Sequence, residues 1–144
     1  MRASWASFVV VLASVASAQP ASGTIVVVVT GLEHGRGQVG CSLFASEEGW
    51  PSDRDEAREG QWAAIHNRSA RCTFENVPAG TYAVGVFHDE DGNGELNSSI
   101  VGRPREGWGV SNNAPPRTFG APRFGPSSFE FDGTRKSLRV RLRY

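Results

Sequence analysis

Methionine occurs once, cysteine and tyrosine twice each, and histidine three times in the 144 residues. Neither charge sign is in excess, since 15 Lys and Arg stand against 15 Asp and Glu. Such a balance gives no global field that would draw the chain onto nucleic acid or an anionic bilayer, which sets nucleic acid aside as a partner. The two cysteines lack C-x-x-C spacing, which argues against metal or redox catalysis by them. No G-x-S-x-G run marks a hydrolase nucleophile elbow. What the chain does have is 17 Gly, 8 Pro, eight Phe and four Trp. That composition fits short aromatic-rich strands joined by many turns, in one domain of ordinary size.

The first residues read as an export signal. Arg2 supplies a positive start, Trp5 to Val15 an apolar run, and Ala16-Ser17-Ala18 a small-x-small cleavage site. The run is too short to span a bilayer. The expectation is a signal peptide over 1–18, a flexible mature end over 19–23, a single domain over 24–144, and a periplasmic or extracellular location with no transmembrane span in the mature protein. In that setting Cys41 and Cys72 default to a disulfide. Their phase agrees: Val39, Cys41 and Leu43 share one strand face, and Cys72 and Phe74 another, so both sulfurs point inward. The competing reading is two buried free thiols.

Alternation and turn residues predict the architecture. TIVVVVT (24–30) is a buried β-branched strand, and QVGCSLFA follows it to make an opening hairpin. From Ser46 to Ser69 the pattern lapses into a long loop, with one or two helical turns in SDRDEAREGQWAAI. ARCTFENV and TYAVGVFHD form a second hairpin-like pair around Pro78-Ala79-Gly80. Residues 89–127 are rich in glycine and proline and nearly aperiodic, as in a functional or ligand-ordered loop. At the end, Leu138, Val140 and Leu142 alternate with Arg139, Arg141 and Arg143 in a half-buried edge-type strand whose arginines face solvent. The fold class is all-β: an antiparallel sandwich of about seven strands, with one long irregular loop and a short helix.

Chemistry concentrates in HDEDGNGELN. Asp89, Asp91 and Asn93 stand two apart, Gly94 permits a sharp bend, Glu95 offers a carbonyl and Asn97 occupies the ninth place, as in an oxygen-rich loop that wraps Ca2+. The twelfth place, where a bidentate Glu completes such a shell, holds Ile100; Glu106 is a substitute from further along. The alternative is an Asx-stabilised turn. His88 shares a strand face with Tyr82, Val84 and Val86, which reads as an inward histidine at the rim of the core. A hydrolase would use His88 with Asp89 or Glu106, and Ser111 as nucleophile. His34 and His66 stand isolated in sequence, so zinc has little support. In GRPREGWGVSNNA, Gly107 and Gly109 are read as turn residues, Trp108 as an amphipathic anchor, and Ser111 and Asn112 as groups able to bond backbone or ligand.

PAGTYAVGVFHDEDGNGELN followed by IVGRPREGWGVSNNAP resembles the hallmark of the bacterial exported family called domain of unknown function 2141. The opening strand, the run into SLF and the closing alternating strand extend the resemblance over residues 24–144. It implies a small secreted β-sandwich, similar to transthyretin-like or carboxypeptidase-regulatory modules, and no known reaction. The functional expectation is a non-catalytic binding or accessory module, calcium-stabilised, that meets a glycan, peptide or envelope component through its long loop. The alternatives are the hydrolase and a purely structural envelope protein.

Overall fold

A computed structural model describes residues 9–19, 21–96 and 105–144. Residues 9–19 form neither helix nor strand and are exposed. Eight strands follow among the described residues: β1 (Ser22–Thr30), β2 (Gln38–Phe44), β3 (Glu59–Ala63), β4 (Ala70–Pro78), β5 (Gly80–Asp89), β6 (Trp108–Val110), β7 (Phe129–Phe131) and β8 (Arg135–Arg141). One helical turn, α1 (Phe124–Ser127), precedes β7.

The strands make two sheets, one ordered β4-β1-β8 and the other β3-β2-β5-β6, with β7 added to the first residues of β5. β1, β2, β4, β5, β7 and β8 present apolar side chains to the gap between the sheets. Ile25, Val27 and Val29 of β1 meet Val39, Cys41 and Leu43 of β2, Phe74 of β4 and Val84 of β5 in one core. The period-2 geometry of a strand makes these stripes continuous. The expected disulfide is present: Cys41 of β2 and Cys72 of β4 join across the gap, tying the two sheets together.

The all-β sandwich stands, but its connections differ from the expected ones. β1 does not pair with β2; it pairs antiparallel with β4 and parallel with β8, Val27 lying opposite both Cys72 and Leu138. Nor do β4 and β5 form a hairpin, since they belong to different sheets. Pro78, which has no N–H for a ladder, ends β4, and the chain turns the corner into the other layer at Gly80. The parallel β1–β8 pair also makes the sandwich only mostly antiparallel.

No helix forms in Ser46–Ser69. Residues 59–63 become β3, because the free edge of β2 offers a ladder of backbone bonds that outweighs the weak local helix propensity. The segment before β3 lies over the outer face of the second sheet. Trp50 meets Phe44 edge-on at 5.3 Å and Phe124 at 5.7 Å. Arg54 stacks 4.4 Å over the Trp62 ring and donates to Ser42 Oγ at 3.0 Å. Burial there lowers the pKa of the Arg54 guanidinium from its ordinary value. This cover explains why β2 is buried on both faces.

Candidate functional site

The end of β5 sends alternate side chains to two sides. His88 and Glu90 go one way, Asp89 and Asp91 the other, and each pair meets groups from distant parts of the chain. The β1–β2 connection reaches this end through Gly37, which has φ +78° and runs so close to Asp89 that an added Cβ would lie 2.0 Å from its carbonyl oxygen. Only glycine tolerates both conditions.

On the acidic side, Asp89 is fully buried and accepts three hydrogen bonds: from the Asn93 amide at 3.1 Å, the Gly94 amide at 3.0 Å and Gln38 Nε2 at 2.9 Å. Asp91 accepts from the Asn93 amide at 3.1 Å, and Asn93 Oδ1 accepts from the Glu95 amide at 2.9 Å. These are Asx turns winding the chain around the carboxylate of Asp89. Glu106, also buried, accepts the Glu90 amide at 2.9 Å and closes the group. One carboxylate oxygen each from Asp89, Asp91 and Glu106 lies within 4.8 Å of the others. Oxygens on one calcium ion at 2.3–2.6 Å from the metal are at most about 5 Å apart, so the three fit a single ion. Glu106 thus stands where the sequence left the twelfth position open. Asn97 lies outside the described residues.

On the other side, His88 is completely buried, as its strand phase requires. Its Nε2 stands 2.6 Å from the carbonyl oxygen of Arg36, and its Nδ1 stands 2.7 Å from the Tyr144 hydroxyl. A carbonyl only accepts, so Nε2 carries the proton and Nδ1 accepts from Tyr144. The same hydroxyl accepts from the Glu33 amide at 3.2 Å. Burial raises the pKa of Tyr144, partly opposed by that amide bond. His34 is not isolated: its ring centroid lies 4.8 Å from that of His88, and its Nε2 is 3.1 Å from Glu90 Oε1. The sequence could not show this, because 54 positions separate two histidines that Arg36 and the Gly37 approach bring together. His66 stays apart, in a bridge to Ser69.

The GRPREGWGVSNNA segment is held by the fold along its described part. Gly107 and Gly109 serve close approach rather than a positive-φ turn: an added Cβ would lie 2.4 Å from Tyr144 Cζ in one case and 2.8 Å from the Arg141 carbonyl oxygen in the other. Trp108 is half-buried in β6 and exchanges backbone bonds with Arg143 at 2.9 and 2.8 Å. Ser111 is buried; its hydroxyl accepts from the Val84 amide at 2.9 Å and donates to the Ser127 carbonyl oxygen at 2.5 Å. Asn112, at φ 60°, donates to the carbonyl oxygens of Pro126 and Ser128. These side chains bind the loop to the sandwich. Ser111 faces Val84, four residues and about 13 Å along β5 from His88, so the geometry does not assemble the His88–Ser111 pair that hydrolysis would need.

The family model described as "Uncharacterized protein conserved in bacteria (DUF2141)" matches residues 27–139, and the chain belongs to that family. No curated protein and no solved structure matches it.

Proposed function

We propose, from membership of this family and from the loop after β5, that the protein is an exported, non-catalytic binding or accessory module whose end loop closes on a calcium ion. The reading rests on one observation above all: Asp89, Asp91 and Glu106 converge within 4.8 Å, two of them buried. Gathering carboxylates out of water is costly, and a divalent cation offsets that cost. Asp89, Asp91 and Glu106 would hold the ion through carboxylate oxygens, with Asn93 and the Glu95 carbonyl completing the oxygen set. The chemistry supplied is order. The ion fixes the turn after β5 against Glu106, and the surface around that turn is what is offered to a glycan, peptide or envelope component. The N-terminal apolar run with its Ala16-Ser17-Ala18 site supports export.

Thermal unfolding in calcium and in chelator tests the ion. Extracellular modules bind calcium at about 10⁻⁴–10⁻³ M, so 5 mM on the order of 5 to 50 times Kd stabilises by roughly 1–2 kcal/mol, or about 4–8 °C. The Glu106→Gln variant should lose most of that shift. Terbium provides a second readout, because Trp62 Cζ2 lies 3.9 Å from the Cβ position of Gly94 in the loop and is placed to sensitise it. An unchanged melting temperature at millimolar calcium, with no terbium emission, refutes the reading.

A further inference from the structure

The second cluster does not take part in the calcium reading, and its donor set is of a different kind. Two imidazoles and a carboxylate meet: His34 Nε2 is 3.1 Å and His88 Nδ1 3.7 Å from the same oxygen, Glu90 Oε1. Ligands at about 2.0–2.1 Å from a tetrahedral zinc ion are about 3.3 Å apart, midway between these two separations. The three donor atoms all lie within 4.8 Å of one another. Hard, oxygen-seeking ions prefer the acidic side; imidazole suits zinc and its neighbours.

The surroundings of His88 match those of a metal-ligating histidine. Its far nitrogen donates to the Arg36 carbonyl oxygen at 2.6 Å, which fixes the ring and leaves Nδ1 unprotonated, with Glu90 Oε1 3.7 Å away. Metal-bound histidines are oriented in this way, by a backbone carbonyl or carboxylate on the second nitrogen. The Nδ1 lone pair is now taken by the Tyr144 hydroxyl at 2.7 Å. Tyr144 is 45% exposed, so its hydroxyl has water to turn to. His34 is held more loosely, its Nδ1 receiving the Arg36 amide at 3.3 Å. Binding through Nε2 places the His34 proton on Nδ1, hands that amide to solvent and displaces the exposed Arg36 guanidinium, whose Nη2 now stands 3.4 Å from His34 Nε2.

We infer that His34, His88 and Glu90 form a second metal site, for a zinc-class divalent ion, with the fourth position at Tyr144 open to water or ligand. The site lies back to back with the acidic one. The Glu90 amide donates to Glu106 at 2.9 Å, so one stretch of backbone carries a nitrogen-rich set on one side and an all-oxygen set on the other.

The experiment uses the untagged chain, with zinc followed by calorimetry and cobalt by its visible absorption. His34→Ala and Glu90→Gln alter half-buried groups and spare the core, whereas a His88 variant risks unfolding. The expected result is one equivalent of zinc, intense tetrahedral cobalt bands, and a loss of affinity of at least ~100-fold in His34→Ala, since even outer-shell partners of metal ligands are worth 10–100-fold. His66→Ala and Asp91→Asn should bind zinc as the parent does. Absence of zinc binding at sub-millimolar metal overturns the site. So does zinc binding that survives His34→Ala but is lost in Asp91→Asn, which places the ion among the carboxylates. Failure of the calcium melt leaves these zinc outcomes unaffected.

Discussion

Alanine in place of Gly107 tests whether Tyr144 is what this glycine accommodates. Gly107 does not require positive φ, so alanine restricts the unfolded chain and on that account stabilises by about 0.4–1 kcal/mol. Against this, the new methyl would lie 2.4, 2.6 and 2.8 Å from three atoms of Tyr144, which are its three nearest neighbours. The ring is partly exposed and has somewhere to go, so the cost is not severe overpacking. It is the loss of what the hydroxyl does: His88 Nδ1, fully buried, is left without a donor, at about 1–3 kcal/mol, and the Glu33 amide bond adds roughly 0.5 kcal/mol. The net expectation for Gly107→Ala is a destabilisation of about 1–2 kcal/mol. In a Tyr144→Ala background only the unfolded-state gain remains, so the same substitution becomes neutral or slightly stabilising. Urea unfolding of the four proteins in this cycle, followed by tryptophan fluorescence, should give a coupling of about 2 kcal/mol. If Gly107→Ala costs as much without Tyr144 as with it, a coupling under roughly 0.5 kcal/mol, the contact is not the reason for the glycine.

Replacing both Cys41 and Cys72 by alanine reopens a loop of sequence separation 31 and should lower stability by about 3–4 kcal/mol, read as a shift in the denaturant midpoint. Ser111→Ala leaves the buried Val84 amide and Ser127 carbonyl without their shared partner and should cost about 2 kcal/mol, with Ser111→Thr or cysteine compared in the same melt. Above pH 10 the fold should lose stability. The Tyr144 pKa is raised on folding, so the folded state keeps a proton that the unfolded state releases; the contribution is complete below the unfolded value and declines as pH rises through the folded one. Tyr144→Phe should remove that alkaline slope in unfolding free energy measured between pH 8 and 11.

Alternation along the sequence identified which residues face the core, and it did so accurately. Val39, Cys41 and Leu43, Cys72 and Phe74, and His88 in line with Tyr82, Val84 and Val86 are all buried. What a period of two cannot encode is the neighbour of each strand. Consecutive strands β1 and β2 look like a hairpin from the inside faces alone, yet the chain crosses the gap between them, and β1 takes its second partner from the far end of the chain. The false helix before β3 arose because local composition was the only guide there, whereas an unpaired β2 edge decided the outcome. At the site, the short-range carboxylate spacing was legible. Glu106 was legible as a replacement for Ile100, and the Asp89 cluster contains it. His34, Gln38, Glu90 and Tyr144 carried no signal, since their meaning depends on Arg36, Gly37 and Gly107 letting separate segments approach.

The parallel ladder of β1 and β8 gives the domain a mechanical character. Thr24 lies beside Arg135 and Thr30 beside Arg141, so the chain enters this pair at one end of the sheet and leaves it at the other. Tension applied between the two ends of the domain runs along both strands in opposite directions. It loads all seven register pairs together in shear, instead of opening them one after another as tension across a hairpin mouth would. Resistance of such a pair to tension is set by the rate at which it unfolds and not by the equilibrium stability of the domain.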